Sequence, residues 1–250
     1  MHRNATNTLL EAVEKLIHDR LAGLGLTKLP LPRGTPIDSP HVPIFCSSDL
    51  ASKSRIVLLI GESVQDLGIL AHRVATGPGG LNKGSMVSIV SSITSTQRSS
   101  PEDDSPPGIV IANSGQLWWW PEGKKALTTT ARHAVPMASA VHWGRFYDEQ
   151  LNAIPRNTNP AAHVRCVFED VLGCMTASTA RIDIIAVGDS ADEIEAFLNN
   201  DETWRIWGPR LNSLALLGGY YRAENVTCDG FGKFLREVSW LCFRCRIMFI

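Results

Sequence analysis

The chain lacks the features that would mark several whole classes of protein. No stretch approaches the roughly 20 consecutive apolar residues that a membrane-spanning helix requires. The most apolar segment, Leu241–Ile250, is broken by Arg244 and Arg246. The first twenty residues carry Glu11, Glu14 and Asp19 and no continuous apolar core. No secretory leader and no membrane contact are therefore expected, and the protein is read as nuclear or cytoplasmic. Neither sign of charge is in excess: 24 Lys and Arg stand against 25 Asp and Glu, with no basic run of five or more. A nucleic-acid binder needs a basic surface to draw in phosphate, so no direct nucleic-acid partner is expected.

Cysteine is sparse as well. Six in 250 residues are too few for a disulfide scaffold. Cys242 and Cys245 form one CxxC with no second pair, and a structural zinc site takes four ligands, so no metal is expected. Asn4 and Asn225 each begin an Asn-X-Thr triplet, which matters only in a secreted protein. Gly77–Gly80, with Lys83 and Ser85 behind it, lacks the G-x-x-x-x-G-K-[ST] spacing and does not directly follow a strand. No nucleotide or other cofactor is expected there.

What is present is a 44% hydrophobic chain, enough for a sizeable core. Leu9, Val13, Leu16, Ile17 and Leu21 recur at helical spacing, with Thr8 and Glu11 placed as a capping box and Gly23 and Gly25 as the stop. Residues 28–43, with Pro30, Pro32, Pro36, Pro40 and Pro43, read as an extended connector that is neither helix nor central strand.

Beyond that connector short apolar runs alternate with helical patterns. Arg55–Gly61, Gly108–Ala112, Arg181–Gly188 and Leu214–Gly218 read as strands. Leu67–Val74, Lys83–Ile93, a helix opening at Pro160 and Ala191–Leu198 read as helices, and Ser95–Pro107 as a mobile surface loop. This order predicts an α/β fold, a mostly parallel sheet with helices on both faces. The expected organisation is an N-terminal helix (1–27), the Pro-rich connector (28–42), one α/β-hydrolase-like domain (43–237) and an atypical tail (238–250). If that tail is not native, the domain is truncated at its C-terminus.

One turn carries a chemical hint. Gly188–Asp192 lies between a strand and a helix, where G-x-S-x-G in an α/β hydrolase lifts a nucleophilic serine above the sheet. Ser190 stands at the serine position, but Asp192 replaces the second glycine. The duller reading makes Asp189 or Ser190 a helix cap and Asp192 a dipole partner. A triad in this fold runs serine, acid, histidine. Asp229 is the best-placed acid, yet no histidine follows Ser190 anywhere in the chain, and His133, His142 and His163 all precede it. Glu62, where an oxyanion-hole loop would lie, would oppose a developing negative charge. No catalytic residue is therefore expected; Ser190 with Asp229 forms the alternative reading, a serine hydrolase acting on a small ester or acyl substrate. Trp118, Trp119 and Trp120 are the candidate binding residues, read either as an exposed docking patch or as packing. Trp204 and Trp207 read as packing residues.

The stretch Arg55–Ala71 followed by Gly80–Ser85 resembles the fungal argonaute-binding-protein-type domain. That domain also occurs at the end of some class II histone deacetylases and in cotranscriptional silencing regulators. Asn113–Trp118, and Trp207–Leu211 through Tyr220 and Tyr221, fit the same pattern over residues 43–235. The resemblance implies a fold related to α/β hydrolases with no catalytic motif to carry over. It implies a protein-interaction role in small-RNA-directed heterochromatin or gene silencing, with silencing or deacetylase complex components as partners. Val238–Ile250 departs from the pattern.

Overall fold

A computed structural model describes residues 2–95, 105–135, 146–220 and 223–242. In chain order the elements are α1 (His2–Gly23), β1 (Leu26–Leu31), β2 (Val42–Ser47), β3 (Arg55–Gly61), α2 (His72–Ala75), α3 (Gly80–Lys83), α4 (Val87–Ser95) and β4 (Gly108–Asn113). Then come β5 (Trp118–Trp120), β6 (Lys125–Leu127), α5 (Thr129–Ala134), α6 (Glu149–Asn152), α7 (Pro160–Cys166), β7 (Arg181–Val187), α8 (Asp189–Leu198), α9 (Asp201–Trp207), β8 (Leu211–Leu217) and α10 (Asp229–Cys242).

Six strands form one sheet in the order β1-β2-β4-β3-β7-β8. β4, β3, β7 and β8 run parallel, while β1 and β2 add an antiparallel flank. The fold is thus mixed α/β with a mostly parallel central sheet. The central strands read as unbroken apolar runs because both of their faces are covered. Successive side chains on a strand point to opposite faces. Ile56, Leu58 and Ile60 of β3 join Val110 and Ala112 of β4 in one core, with Val164, Phe168 and Leu172 from the α7 region and Ile194 of α8. Val57 and Leu59 join Ile109 and Ile111 on the other face, against Val13, Ile17 and Leu21 of α1 and Val87 and Val90 of α4.

Several local readings change. α1 begins at His2, so Thr8 lies inside the helix rather than at its N-cap. Val13, Ile17 and Leu21 are buried, whereas Leu9 and Leu16 are exposed. The Pro-rich segment does more than connect: its first residues complete the edge strand β1, paired with β2 from Leu26↔Ser47 to Leu31↔Val42, and its last, Pro43, lies in β2, which has β1 on one side and β4 on the other. Pro30 is tolerated in β1 because proline's missing N–H costs least on a strand with only one neighbour. The two helices read between Leu67 and Ile93 are three short ones, separated by Gly77–Gly79 and by Gly84–Met86. Gly84 permits that break, since a Cβ there would lie 2.2 Å from the Ala75 nitrogen. The helix opening at Pro160 is capped by Asn159 and continues as a wider π-helical turn over Val167–Gly173. Residues 96–104 of the predicted loop, and 243–250 of the tail, lie outside the described residues. Among the described residues no helix is long and apolar enough to cross a membrane.

Candidate functional site

The topology singles out one place. β3 is the first of the parallel strands; its crossover leads through α2–α4 to β4 on one side, while the crossover after β7 leads through α8 and α9 to β8 on the other. Open α/β sheets bind ligands outside the carboxyl ends of strands where such connections diverge. Here three strand ends meet: Gly61-Glu62-Ser63, Asn113-Ser114-Gly115 and Gly188-Asp189-Ser190.

The sharp turn is made at Gly188, not at Ser190. Gly188 has φ 64° and ψ −136°, a conformation that side-chain-bearing residues adopt only with strain. Its N–H donates to the Leu217 carbonyl at 2.7 Å. A Cβ on Gly188 would sit 2.7 Å from Glu62 Cγ and 3.0 Å from Glu62 Oε1. The volume into which a side chain at the tip would project therefore holds the Glu62 side chain instead.

Ser190 lies one step inside α8 with no exposed surface. Its hydroxyl donates to the Gly61 carbonyl at 2.6 Å. A hydroxyl has one proton, so the 2.5 Å contact with Ser114 Oγ is one in which Ser114 donates. Among the described residues neither Asp229 nor a histidine is a partner. Asp229 is exposed at the start of α10. His163 is fully buried in α7 with Nδ1 2.7 Å from Asn157 Oδ1, and burial pushes its pKa down to about 4. His133 is exposed on α5, and His142 lies outside the described residues. Ser190 and Asp229 thus stand on different elements, and among the described residues no base is positioned against the serine hydroxyl.

The rest of the crevice is closed by its own carboxylates. Asp189 Oδ1 accepts from the Ser63 N–H at 2.9 Å, and Asp189 Oδ2 accepts from the Ser63 hydroxyl. A backbone amide that could face an anion is thereby taken by a side chain of the fold. Asp192 accepts from the Tyr220 N–H at 2.7 Å, fastening the end of β8 to the same helix turn. Burial and the neighbouring Asp189 and Asp192 raise the pKa of Glu193, and burial with Asp192 raises that of Glu195. The local field opposes further negative charge. Among the described residues none of Glu62, Asp189, Asp192, Glu193 or Glu195 forms an ion pair, and no group of three or more His, Cys, Asp or Glu could hold a metal.

Sequence reasoning missed the residue that organises these loops. Asn113 Nδ2 donates to the carbonyls of Glu62 (3.2 Å) and Gln65 (2.7 Å), and Asn113 Oδ1 accepts from the N–H groups of Gly115 (2.7 Å) and Gln116 (3.1 Å). Asn113 is 1% exposed. The available signal was an asparagine closing an all-apolar strand and followed by Ser-Gly. Gly115 lets the two loops touch, because any Cβ there would coincide with the Ser63 carbonyl.

The aromatic run is spent on packing. Trp118 and Trp119 are buried in the hairpin β5–β6, and alternation turns them to opposite sides. Trp119 packs with Val42, Ala126 and Ile154, and Trp118 with Leu127 and Val135. Trp120 is half-buried. Trp118 and Trp119 are thus covered on both faces of this hairpin rather than exposed. Trp207 packs edge-on against Phe168, and Trp204 lies against Phe231 and Phe234.

Compared with known proteins, the chain matches the family model of the Arb2 domain over residues 2–242. No curated protein and no solved structure matches it.

Proposed function

From the premise that this chain belongs to the Arb2 domain family, we propose that it is a protein-interaction domain of the Argonaute-binding type, with a hydrolase-like framework and no hydrolase chemistry. The observation that carries this reading is the register of the strand-to-helix turn. In an α/β hydrolase the nucleophile itself occupies the strained tip. Here the tip is Gly188, which has no side chain, and Glu62 fills the space beside it. The only serine of the turn is sealed beneath the sheet end with its proton committed to a backbone carbonyl. The amide of the neighbouring loop is occupied by Asp189, and the surroundings are acidic.

The partners we infer are components of small-RNA silencing or histone deacetylase complexes, met in the nucleus or the cytoplasm. Two measurements test the two halves of the proposal. A fluorophosphonate probe should leave the folded protein unlabelled; labelling that disappears in Ser190→Ala would establish the hydrolase alternative. Affinity purification from the native cell should recover Argonaute or deacetylase components. Their absence from a well-expressed, folded bait would remove the silencing assignment while leaving the non-catalytic reading standing.

A further inference from the structure

Lys28 of β1 differs from most lysines of the chain in what its amine faces. Lys15, Lys53, Lys124, Lys125 and Lys233 each have a carboxylate oxygen at 2.9–3.8 Å. The Lys28 Nζ instead lies 3.0 Å from His18 Nδ1 of α1, and 5.6 Å from the ring centre of Phe45, the residue opposite it on β2. Lys28 is nonetheless an exposed residue, open to a reagent in solution.

The hydrogen bonds fix which nitrogen of His18 carries the proton. The Leu67 carbonyl, 3.0 Å from Nε2, can only accept, so Nε2 bears the hydrogen. Nδ1 is then a lone pair that accepts from Lys28. Burial first, and the Lys28 ammonium second, hold the pKa of His18 down at about 4, so the imidazole is neutral at neutral pH. Withdrawal from water also lowers the pKa of Lys28, against the pull of Glu14. Glu14, Asp19 and Asp66 are the carboxylates whose charge acts on the pair.

Amine, imidazole and carbonyl thus repeat the order of nucleophile, base and the group that orients the base. We propose that Lys28 is an acyl-acceptor site, modified by a thioester or an acyl phosphate, with His18 Nδ1 receiving the proton that the reacting nitrogen sheds. The free amine attacks the acyl carbon; the new N–C bond forms, and the bond from that carbon to the thiolate or phosphate leaving group breaks. The proton passes from Nζ to Nδ1 and then to the leaving group. Nitrogen in the tetrahedral adduct is far more acidic than a free ammonium, so a weakly basic imidazole suffices as its acceptor. The product is a neutral amide in place of the ammonium. The site lies between α1 and β1 and uses no residue of the crevice around Ser190, so it stands or falls separately from the reading of that crevice.

The test exposes the full chain to acetyl coenzyme A and to acetyl phosphate in separate arms, across neutral and alkaline pH. Acetylation of each lysine is followed over time by peptide mass spectrometry. Lys83, exposed and in no ion pair among the described residues, is the internal reference. With at least one donor Lys28 should react about tenfold or more faster than Lys83, a modest general-base contribution. The more effective donor identifies the leaving group. His18→Asn keeps a polar acceptor but cannot take up a proton, and should remove most of that advantage while circular dichroism shows the fold intact. If that variant does not fold, Glu14→Gln removes a carboxylate that holds the proton on Lys28 and should raise its rate at neutral pH. Equal rates for Lys28 and Lys83 with both donors, an undiminished advantage in folded His18→Asn, or a rate that Glu14→Gln does not raise overturns the proposal.

Discussion

The hydroxyl of Ser190 gives its only proton to the carbonyl oxygen of Gly61, 2.6 Å away, and so ties the start of α8 to the end of β3. This is a structural bond, made two residues beyond the strained tip at Gly188. Ser190→Ala removes it and leaves the Ser114 hydroxyl without its acceptor. Stability should fall by about 1–2 kcal/mol, the usual cost of orphaning a buried polar group. Urea denaturation of the two proteins measures it; an equal or higher midpoint for the variant would contradict the structural role.

Gly188 is the second constraint at that turn. Gly188→Ala forces a side chain into a positive-φ conformation and against Glu62. The backbone part alone costs about 1–3 kcal/mol. Glu62→Ala should relieve the steric part and leave the backbone part. The double variant is therefore expected to be more stable than the sum of the single losses, by about 0.5 kcal/mol or more. Strict additivity in the denaturation midpoints would show that Glu62 does not occupy that space.

The same turn shows how far the sequence could be read. The strand, the helix and the short residues between them were legible from apolar run length alone. The register of the elbow was not, because Gly-Asp-Ser satisfies the pattern with either Ser190 or Gly188 at the tip. Only φ decides, and φ is set by where β7 ends against Leu217 and Glu62. β1 was hidden for a related reason: Pro30 excludes a central strand, but only the pairing with β2 reveals an edge one. Asn113 was invisible as an organiser because its partners, Glu62 and Gln65, are some fifty residues away in sequence and present only backbone carbonyls. The three tryptophans were visible, but their burial depends on Val42, Ile154 and Val135, which no local pattern connects to them.

Asp183 interrupts the apolar run of β7 and is 4% exposed. It is held by an ion pair with Arg55 and by hydrogen bonds from Asn212 Nδ2 and Ser213 Oγ, so it joins β3, β7 and β8 across the sheet. Asp183→Ala strands three donors at once. Removing one partner of such a buried pair costs about 3–5 kcal/mol. Arg55 keeps 29% of its side-chain surface in water, so the lower end is expected. A thermal unfolding midpoint lowered by only a degree or two would mean that the network contributes little.

Two histidines, the fully buried His163 and the half-buried His18, shape the response to acid. His163 is pushed down to about 4 by burial alone. His18 is pushed to about 4 by burial and by the Lys28 ammonium, 3.0 Å from its Nδ1, while its Nε2 donates to the Leu67 carbonyl. In the unfolded chain both imidazoles titrate near 6.5. Between 6.5 and 4 the unfolded chain therefore binds protons that the fold refuses. Stability is fully present above pH 6.5, falls as pH drops through that window, and levels off below 4. Each histidine contributes a slope of about 1.4 kcal/mol per pH unit within the window. Near His18 the raised carboxyl of Glu14, lifted mainly by burial, works in the opposite sense, because the fold then holds a proton longer than the unfolded chain does. His163 gives the cleaner readout. His163→Leu should remove about one bound proton from the unfolding reaction between pH 5 and 6, seen as a shallower fall of the urea midpoint. An unchanged pH slope in that variant would show that His163 is not held neutral in the fold.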